Sequence, residues 1–192
     1  MPDKIPDERG VVLLPIARAA ISRALKVPFM ADESAPWLAE PGACFVTLSQ
    51  KGNLRGCIGS LQAHRSLLDD VKENAVAAAL RDPRFSPLTA MELYATEIEV
   101  SLLSATEPMN VRDEADALAQ LRPNVDGIIF EFGSYRSTFL PQVWESLPRP
   151  REFLAQLKRK AGLPEDFWAD GIRLSRYTVT KWREKDAAKK AA

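Results

Sequence analysis

One seven-residue segment constrains the fold of this chain more than any other stretch: Leu54-Arg55-Gly56-Cys57-Ile58-Gly59-Ser60. The strand-like run 43–49 precedes it, and Lys51-Gly52-Asn53 has the composition of a turn. The pattern therefore predicts a β-hairpin that has the segment as its second strand. Glycine weakens a strand, and it often marks a bulge or a close approach by another backbone or a ligand.

Strand geometry predicts which residues of this segment share a face, because side chains alternate along a regular strand. Three of them are expected to face the core: Leu54, Gly56 and Ile58. The other three are expected on the opposite face: Arg55, Cys57 and Gly59. On that face the Arg55 guanidinium would favour the thiolate of Cys57, which makes the pair a candidate reactive or anion-binding site. The alternative is structural, with an inert buried cysteine and a salt-bridged arginine.

The remaining patterns predict an α+β chain. Helices are predicted over residues 7–26, 67–80, 113–121 and 150–161. Besides the hairpin, strands are predicted over residues 97–104, 128–132, 136–140 and 172–181. Helices interrupt the strands irregularly, so the fold that fits best is a mostly antiparallel sheet flanked by helices.

Composition narrows the class of protein. The chain has 192 residues, 46% of them hydrophobic, which suffices for one domain or two closely packed lobes. No apolar run approaches the roughly 18 residues that span a bilayer, and the amino terminus has no apolar stretch of signal-peptide type. We therefore expect a cytoplasmic protein that does not enter a membrane, with both cysteines as free thiols.

Charge is unevenly distributed along the chain, although the net charge is zero. From Arg149 onward there are 12 Lys/Arg and 6 Asp/Glu, a net of +6. This basic part fits either an anionic partner such as nucleic acid or a solvated basic helix followed by a frayed end. Residues 183–192 are predicted to form a disordered tail.

Several ordered blocks resemble the AMMECR-type domain, also called AmmeMemoRadiSam system protein A. The blocks are the segment 54–60, residues 73–79 and 81–85, residues 99–103, residues 126–128, residues 138–144 and residues 173–177. The resemblance runs from about Asp7 to Trp182, which is nearly the whole chain. The resemblance thus predicts one domain of this type over residues 7–182.

The resemblance implies a two-lobed α+β fold with the segment 54–60 near a ligand cleft between the lobes. It also implies an association with a Memo-like protein and a radical SAM protein. It implies no established reaction, so catalysis, cofactors and oligomeric state stay open. One departure is Asp126, where some relatives have histidine before the Gly-Ile pair, so no catalytic role of that histidine transfers to this chain.

The candidate site residues follow from these observations. Cys57 is the candidate nucleophile or acid/base. The candidate ligand-binding residues are Arg55, Gly56, Gly59, Arg84 and Gln142. Arg84 either binds a substrate or forms a structural salt bridge with Asp82. Gln142 offers an amide to a polar ligand.

The single histidine and three strand carboxylates are further candidates for chemical roles, and each has a structural alternative. His64 is the only histidine and is either a base toward Cys57 or a capping or surface residue. With one histidine and two cysteines, a zinc site within the chain is not expected. Three strand carboxylates, Glu97, Glu99 and Glu131, are expected to be exposed side chains rather than magnesium ligands.

The sequence leaves three functions open. Binding ranks above catalysis because the sequence contains no recognisable catalytic constellation. The first is a binding or pathway subunit. The second is an enzyme that uses Cys57 while Arg55 holds an anionic substrate. The third is a nucleic-acid-associated protein that uses the basic carboxy-terminal part.

Overall fold

The computed structural model describes residues 8–186. Within that range the chain forms two compact units: residues 8–103 with 180–186 in the first, and residues 104–179 in the second. Each unit has a hydrophobic core of its own. Helices and mostly antiparallel strands occur in both, so the predicted α+β class is confirmed.

The first unit places helices on one face of a four-stranded sheet. Its helices are α1 (Arg9–Ala24), α2 (Leu67–Leu80) and the short α3 (Ala90–Leu93), with a 3₁₀ turn at Pro36–Ala39. Its main strands are β2 (Cys44–Gln50), β3 (Asn53–Gly59), β5 (Glu97–Leu103) and β10 (Val179–Arg183), in the order β10-β5-β2-β3. A two-residue pair, β1 (Pro41–Gly42) and β4 (Arg65–Ser66), completes it.

The core of the first unit lies between α1, α2 and the sheet. The predicted strand over residues 97–104 is confirmed as β5, and its residues Ile98, Val100 and Leu102 are buried. The predicted start of α2 is also confirmed: the Ser66 hydroxyl accepts the backbone N–H of Asp69 at 3.1 Å. Such a cap satisfies a backbone donor that the first helical turn leaves free.

The second unit has the same two kinds of element in another order. Its helices are α4 (Glu114–Gln120) and α5 (Pro150–Ala161), with a 3₁₀ turn at Pro141–Glu145. Its strands are β6 (Glu107–Met109), β7 (Gly127–Phe132), β8 (Tyr135–Phe139) and β9 (Arg173–Tyr177), in the order β6-β9-β7-β8. Trp144 and Phe153 stack in its core with ring centroids 3.8 Å apart. Gly162 ends α5 with a φ of +93°, which confirms the predicted stop.

The predicted single strand 172–181 is wrong. The run divides at Thr178: β9 joins the sheet of the second unit, and β10 joins that of the first. The sequence has no turn residue at that point to mark the division. Each half belongs to the sheet of the distant strand with which it pairs. The prediction also missed α3, β6 and the short β1–β4 pair.

The ends of the predicted domain lie close to the limits of the described chain. Arg183 is the last residue of β10, and the Glu184 carboxylate accepts from Arg18 Nε at 2.5 Å. Asp7 and the tail residues 187–192 lie outside the described residues. Among the helices of residues 8–186, none has the length and apolar character that crossing a membrane requires.

Candidate functional site

A β-bulge at Arg55 interrupts the segment 54–60. Gly56 pairs with Leu48 on β2, whereas Leu54 pairs with the next residue, Ser49, so Arg55 is the extra residue. A bulge shifts the alternation of faces by one residue on one side of it. Leu54 is consequently 46% exposed, and its predicted inward position is wrong.

Arg55 contacts α3 and the loop that follows α2. Its Nε and Nη2 donate to Glu92 Oε1 at 3.3 and 3.2 Å, and its guanidinium lies 6.0 Å from the Phe85 ring centroid. Its Nη1 is buried and has no hydrogen-bond partner among the described residues. Glu92 also forms a capping box with Thr89, and these hydrogen bonds, together with Arg55, hold the pKa of Glu92 below its ordinary value.

The thiol of Cys57 belongs to a polar row on the sheet face opposite the core. Thr47 Oγ1 donates to Cys57 Sγ at 3.2 Å. Thr47 pairs with Cys57 on one side and with Glu99 on the other. The Glu99 carboxylate accepts from Arg183 Nε. A thiol, a hydroxyl, a carboxylate and a guanidinium thus follow one another across the four strands.

The backbone of Cys57 is held by two side chains at the edge of the sheet. β3 is an edge strand. Asp82 Oδ2 accepts the Cys57 N–H at 2.9 Å, and Arg84 Nη2 donates to the Cys57 carbonyl at 3.2 Å. These are the groups that another strand would pair with, so we name the two side chains the edge clasp. Capping of this kind protects an edge from pairing with other chains.

The edge clasp is itself a short ion pair. Arg84 Nη2 lies 2.7 Å from Asp82 Oδ2, which confirms the predicted structural salt bridge. Asp82 is only 4% exposed. Hydrogen bonds from Arg84 hold the pKa of Asp82 far below its ordinary value, and the carboxylate raises the pKa of Arg84.

Both glycines of the segment allow close packing within the first unit. A Cβ at position 56 would lie 2.1 Å from the backbone oxygen of Ala78 in α2. A Cβ at position 59 would lie 2.2 Å from a ring carbon of Phe45. Gly56 thus accommodates another backbone, one of the two roles that the sequence predicted for these glycines.

A buried polar cluster after the segment was missed by the sequence analysis. Asp70 accepts from Cys44 N–H at 2.9 Å, from Ser60 Oγ at 2.6 Å and from Arg65 Nε at 3.0 Å. Asn74, one turn later in α2, donates to the Cys44 carbonyl at 3.1 Å. Burial and the Asp70 charge raise the pKa of the Cys44 thiol well above its ordinary value. The available signal was the i, i+4 spacing of two polar residues on the buried face of α2.

The other candidates lie elsewhere. Gln142 is exposed and belongs to the second unit, whereas the segment 54–60 belongs to the first. His64 is exposed, and its backbone N–H donates to the Gln62 carbonyl at 3.0 Å. The structure therefore brings Arg84 to Cys57 but does not bring all the predicted ligand residues together within one unit.

Each of the three strand carboxylates has a cationic neighbour. Glu97 lies 3.5 Å from Lys185, and Glu99 pairs with Arg183. Glu131 lies 3.3 Å from Arg136. Across residues 8–186, His, Cys, Asp and Glu form no group of three or more that is arranged to hold a metal ion.

Three of the sequence blocks that resemble the AMMECR-type domain, residues 126–128, 138–144 and 173–177, meet around Asp126 in the second unit. Its buried carboxylate lies 2.6 Å from Arg122 and 3.7 Å from Arg176, and its carbonyl accepts from Trp144 Nε1 at 2.7 Å. A Cβ at Gly127 would lie 2.4 Å from the Tyr177 ring. Asp126 is thus the centre of a buried ion-pair cluster.

Much of the positive charge of α5 and its start is paired. Arg149 pairs with Glu152 in the first turn. Lys158 lies 2.7 Å from Glu114, and Arg159 lies 2.8 Å from Glu165. This pairing favours the solvated helix over a nucleic-acid surface for the basic carboxy-terminal part.

These features define an α+β protein in which the edge strand that carries the 54–60 segment is clasped by residues 82 and 84. The family model described as AMMECR1 matches residues 14–182, and the chain belongs to the AMMECR1 family. The crystal structure of the uncharacterized protein PH0010 from Pyrococcus horikoshii is similar, with a TM-score of 0.77 and 32% identity over 94% of each chain.

Archaeal sequences extend the comparison. A Methanothermobacter thermautotrophicus protein is 40% identical over 174 residues, which cover 85% of this chain and 87% of the relative. Protein MJ0810 of Methanocaldococcus jannaschii is 36% identical over 186 residues, which cover 92% and 90%. The names of these relatives state no activity, so the comparisons establish the family and leave the reaction and ligand open.

Proposed function

We propose that this protein is a partner-binding subunit of a cytoplasmic pathway in which it acts with a Memo-like protein and a radical SAM protein. The resemblance to the AMMECR-type domain supplies these two partner classes. One observation carries the proposal: large exposed apolar side chains lie next in the chain to the paired residues Arg55 and Glu92 or close to them. We name these side chains the Leu54 patch, and its members are Leu54, Met91 and Tyr94.

The Arg55–Glu92 ion pair connects the two elements that carry the Leu54 patch, β3 and α3. Met91 is 85% exposed and Tyr94 is 81% exposed. Leu54 precedes Arg55, Met91 precedes Glu92, and the Arg55–Glu92 hydrogen bonds fasten β3 to α3. Large exposed apolar side chains that cluster on a surface mark sites of protein interaction.

Internal contacts of the neighbouring polar groups also support binding rather than catalysis. The Arg55 guanidinium binds Glu92, and the edge clasp binds the backbone of Cys57. Side chains that are engaged in this way fix the shape of the strand. They leave the exposed side chains of the Leu54 patch for contact with a partner.

Co-purification tests this proposal. The full chain is expressed in its native host with an affinity tag, and the retained Memo-like and radical SAM proteins are quantified. We expect Met91→Ser and Tyr94→Ser to reduce their retention severalfold, because each removes apolar area from the interface. The matched control is Met30→Ser, which changes a methionine that is 91% exposed in the loop after α1. Undiminished retention by both patch variants would refute the proposed surface, and a solitary wild-type chain would refute the proposed partners.

The polar row supports a second candidate, an enzyme that uses Cys57 as its nucleophile. The Thr47 hydroxyl donates to the sulfur at 3.2 Å, and Cys57 is partly exposed. An anionic substrate group would be held by Arg84, whose Nη2 already lies at the Cys57 carbonyl, or by the Arg55 of the sequence-based hypothesis. Measuring the alkylation rate of Cys57 against pH separates the candidates. A thiol pKa near the ordinary 8.5, or no reaction at all, would exclude the activated nucleophile.

A further inference from the structure

A groove of about 320 Å³ lies on the first unit where α1 and α2 meet. Its apolar lining consists of three half-buried side chains: Ala19, Ala20 and Val76. Its charged lining consists of three cations and three anions: Arg23, Arg65, Lys72, Glu33, Asp69 and Glu73. The lining as a whole is therefore neutral, so a ligand can use only those charges that the protein does not already compensate.

Four of the six charges are compensated by ion pairs within the protein. Lys72 Nζ lies 2.5 Å from Glu33 Oε2, so these two lining residues neutralise each other. Arg65 Nε lies 3.0 Å from the buried carboxylate of Asp70. Glu73 pairs with Arg81. These side chains leave no net charge for a ligand.

The two charges that remain have opposite signs. Asp69 accepts the Ser66 hydroxyl at 2.6 Å, but a hydroxyl does not neutralise a carboxylate, and no cation among residues 8–186 pairs with it. Arg23, in the last turn of α1, likewise has no carboxylate partner in the described part of the chain. The groove therefore presents one uncompensated cation and one uncompensated anion beside an apolar surface.

We propose that this groove binds a small zwitterion with an aliphatic part, the chemistry of a free amino acid. The Arg23 guanidinium holds its carboxylate, because this planar fork of donors matches the two oxygens. The Asp69 carboxylate holds its ammonium group. The aliphatic part lies on Ala19, Ala20 and Val76, where its burial releases water from both surfaces.

The size of the groove agrees with such a ligand. Its volume lies at the lower end of the range for ligand pockets, which suits a molecule as small as an amino acid. The site shares no residue with the Leu54 patch and does not rest on the partner-binding function.

Backbone-amide NMR titration of the full chain tests the proposal with four six-carbon probes: L-leucine, ε-aminocaproate, hexanoate and hexylamine. The first two carry both charges, and each of the others lacks one. At least one zwitterion should shift the amides of α1 and α2 and bind at least about fivefold more tightly than either singly charged probe, because it engages both side chains. Binding of L-leucine alone identifies a ligand with adjacent charges, whereas binding of ε-aminocaproate alone identifies one with charges at its two ends.

Two variants separate the roles of the charges. Arg23→Gln should abolish the preference for the zwitterion over hexylamine, since the carboxylate loses its partner. Asp69→Asn retains an oxygen for the Ser66 hydroxyl and should abolish the preference over hexanoate. The matched controls are Arg151→Gln and Asp166→Asn, which remove the same charges from exposed side chains of the second unit and should leave every affinity unchanged.

Three results would overturn the proposal: neither zwitterion binds, a singly charged probe binds as tightly as the better zwitterion, or a control variant weakens binding as much as its counterpart in the groove. Arg23 and Asp69 are both exposed, so their replacement tests the ligand rather than the stability of the unit.

Discussion

The carboxylate of Asp82 accepts the backbone N–H of Cys57 at 2.9 Å and so closes the free edge of β3. The same buried carboxylate accepts from the Arg84 backbone at 3.1 Å and pairs with the Arg84 side chain. One side chain therefore fixes both the strand and the loop after α2.

Asp82→Ala should lower the free energy of unfolding of the first unit by about 2–4 kcal/mol. The substitution leaves the Cys57 N–H without its acceptor and removes the partner of Arg84, and losses of that kind have this magnitude. Urea unfolding followed by circular dichroism measures it. Asp32→Ala is the control, since Asp32 is exposed and its replacement should leave the urea midpoint nearly unchanged. Equal midpoints for both variants would show that the edge clasp does not stabilise the fold.

Acid should destabilise the wild-type chain more than Asp82→Asn. The folded pKa of Asp82 lies below its unfolded value, which is about 3.9 for an ordinary aspartate. Its contribution is therefore fully present above pH 4 and is lost as the pH falls from there toward the folded pKa. Urea midpoints at pH 7, 5, 4 and 3 should converge for the two proteins as the pH falls. A constant difference between them down to pH 3 would contradict this assignment.

Gly56→Ala should cost about 3 kcal/mol or more. The new Cβ would lie 2.1 Å from the Ala78 carbonyl, and backbone cannot move aside as a flexible side chain can. Gly52→Ala is the matched control: it has a φ of +82° and no heavy atom within 4 Å of the added Cβ, so only backbone strain of about 1 kcal/mol applies. Thermal unfolding should rank the variants in that order, and the reverse order would show that α2 yields at this contact.

Local signals predicted those elements that depend on nearby residues. Ser66 begins α2 and Gly162 ends α5 because a cap needs only the adjacent turn. The hairpin of β2 and β3 likewise follows from the turn between them. Each of these outcomes depends on contacts a few residues apart, so the sequence alone sufficed.

The errors arose where distant packing decides the outcome. The bulge at Arg55 lies next to Gly56, which packs closely against Ala78, 22 positions away. A prediction that assumed regular alternation along the strand therefore placed Leu54 on the wrong face. The Asp82–Arg84 pair was predictable from its two-residue separation. Its role in binding the Cys57 backbone was not, since that contact depends on how the loop after α2 returns to the sheet.

Alkylation should modify Cys57 in the folded protein and leave Cys44 unmodified until the first unit unfolds. Cys57 is partly exposed, whereas Cys44 is fully buried beside Asp70, and its raised pKa suppresses the reactive thiolate. Peptide mass spectrometry after iodoacetamide treatment, with and without urea, measures both sites. Cys57→Ser should take up no label when folded and one label in urea. Rapid labelling of Cys44 in the folded Cys57→Ser protein would show that the Asp70–Asn74 cluster opens without unfolding.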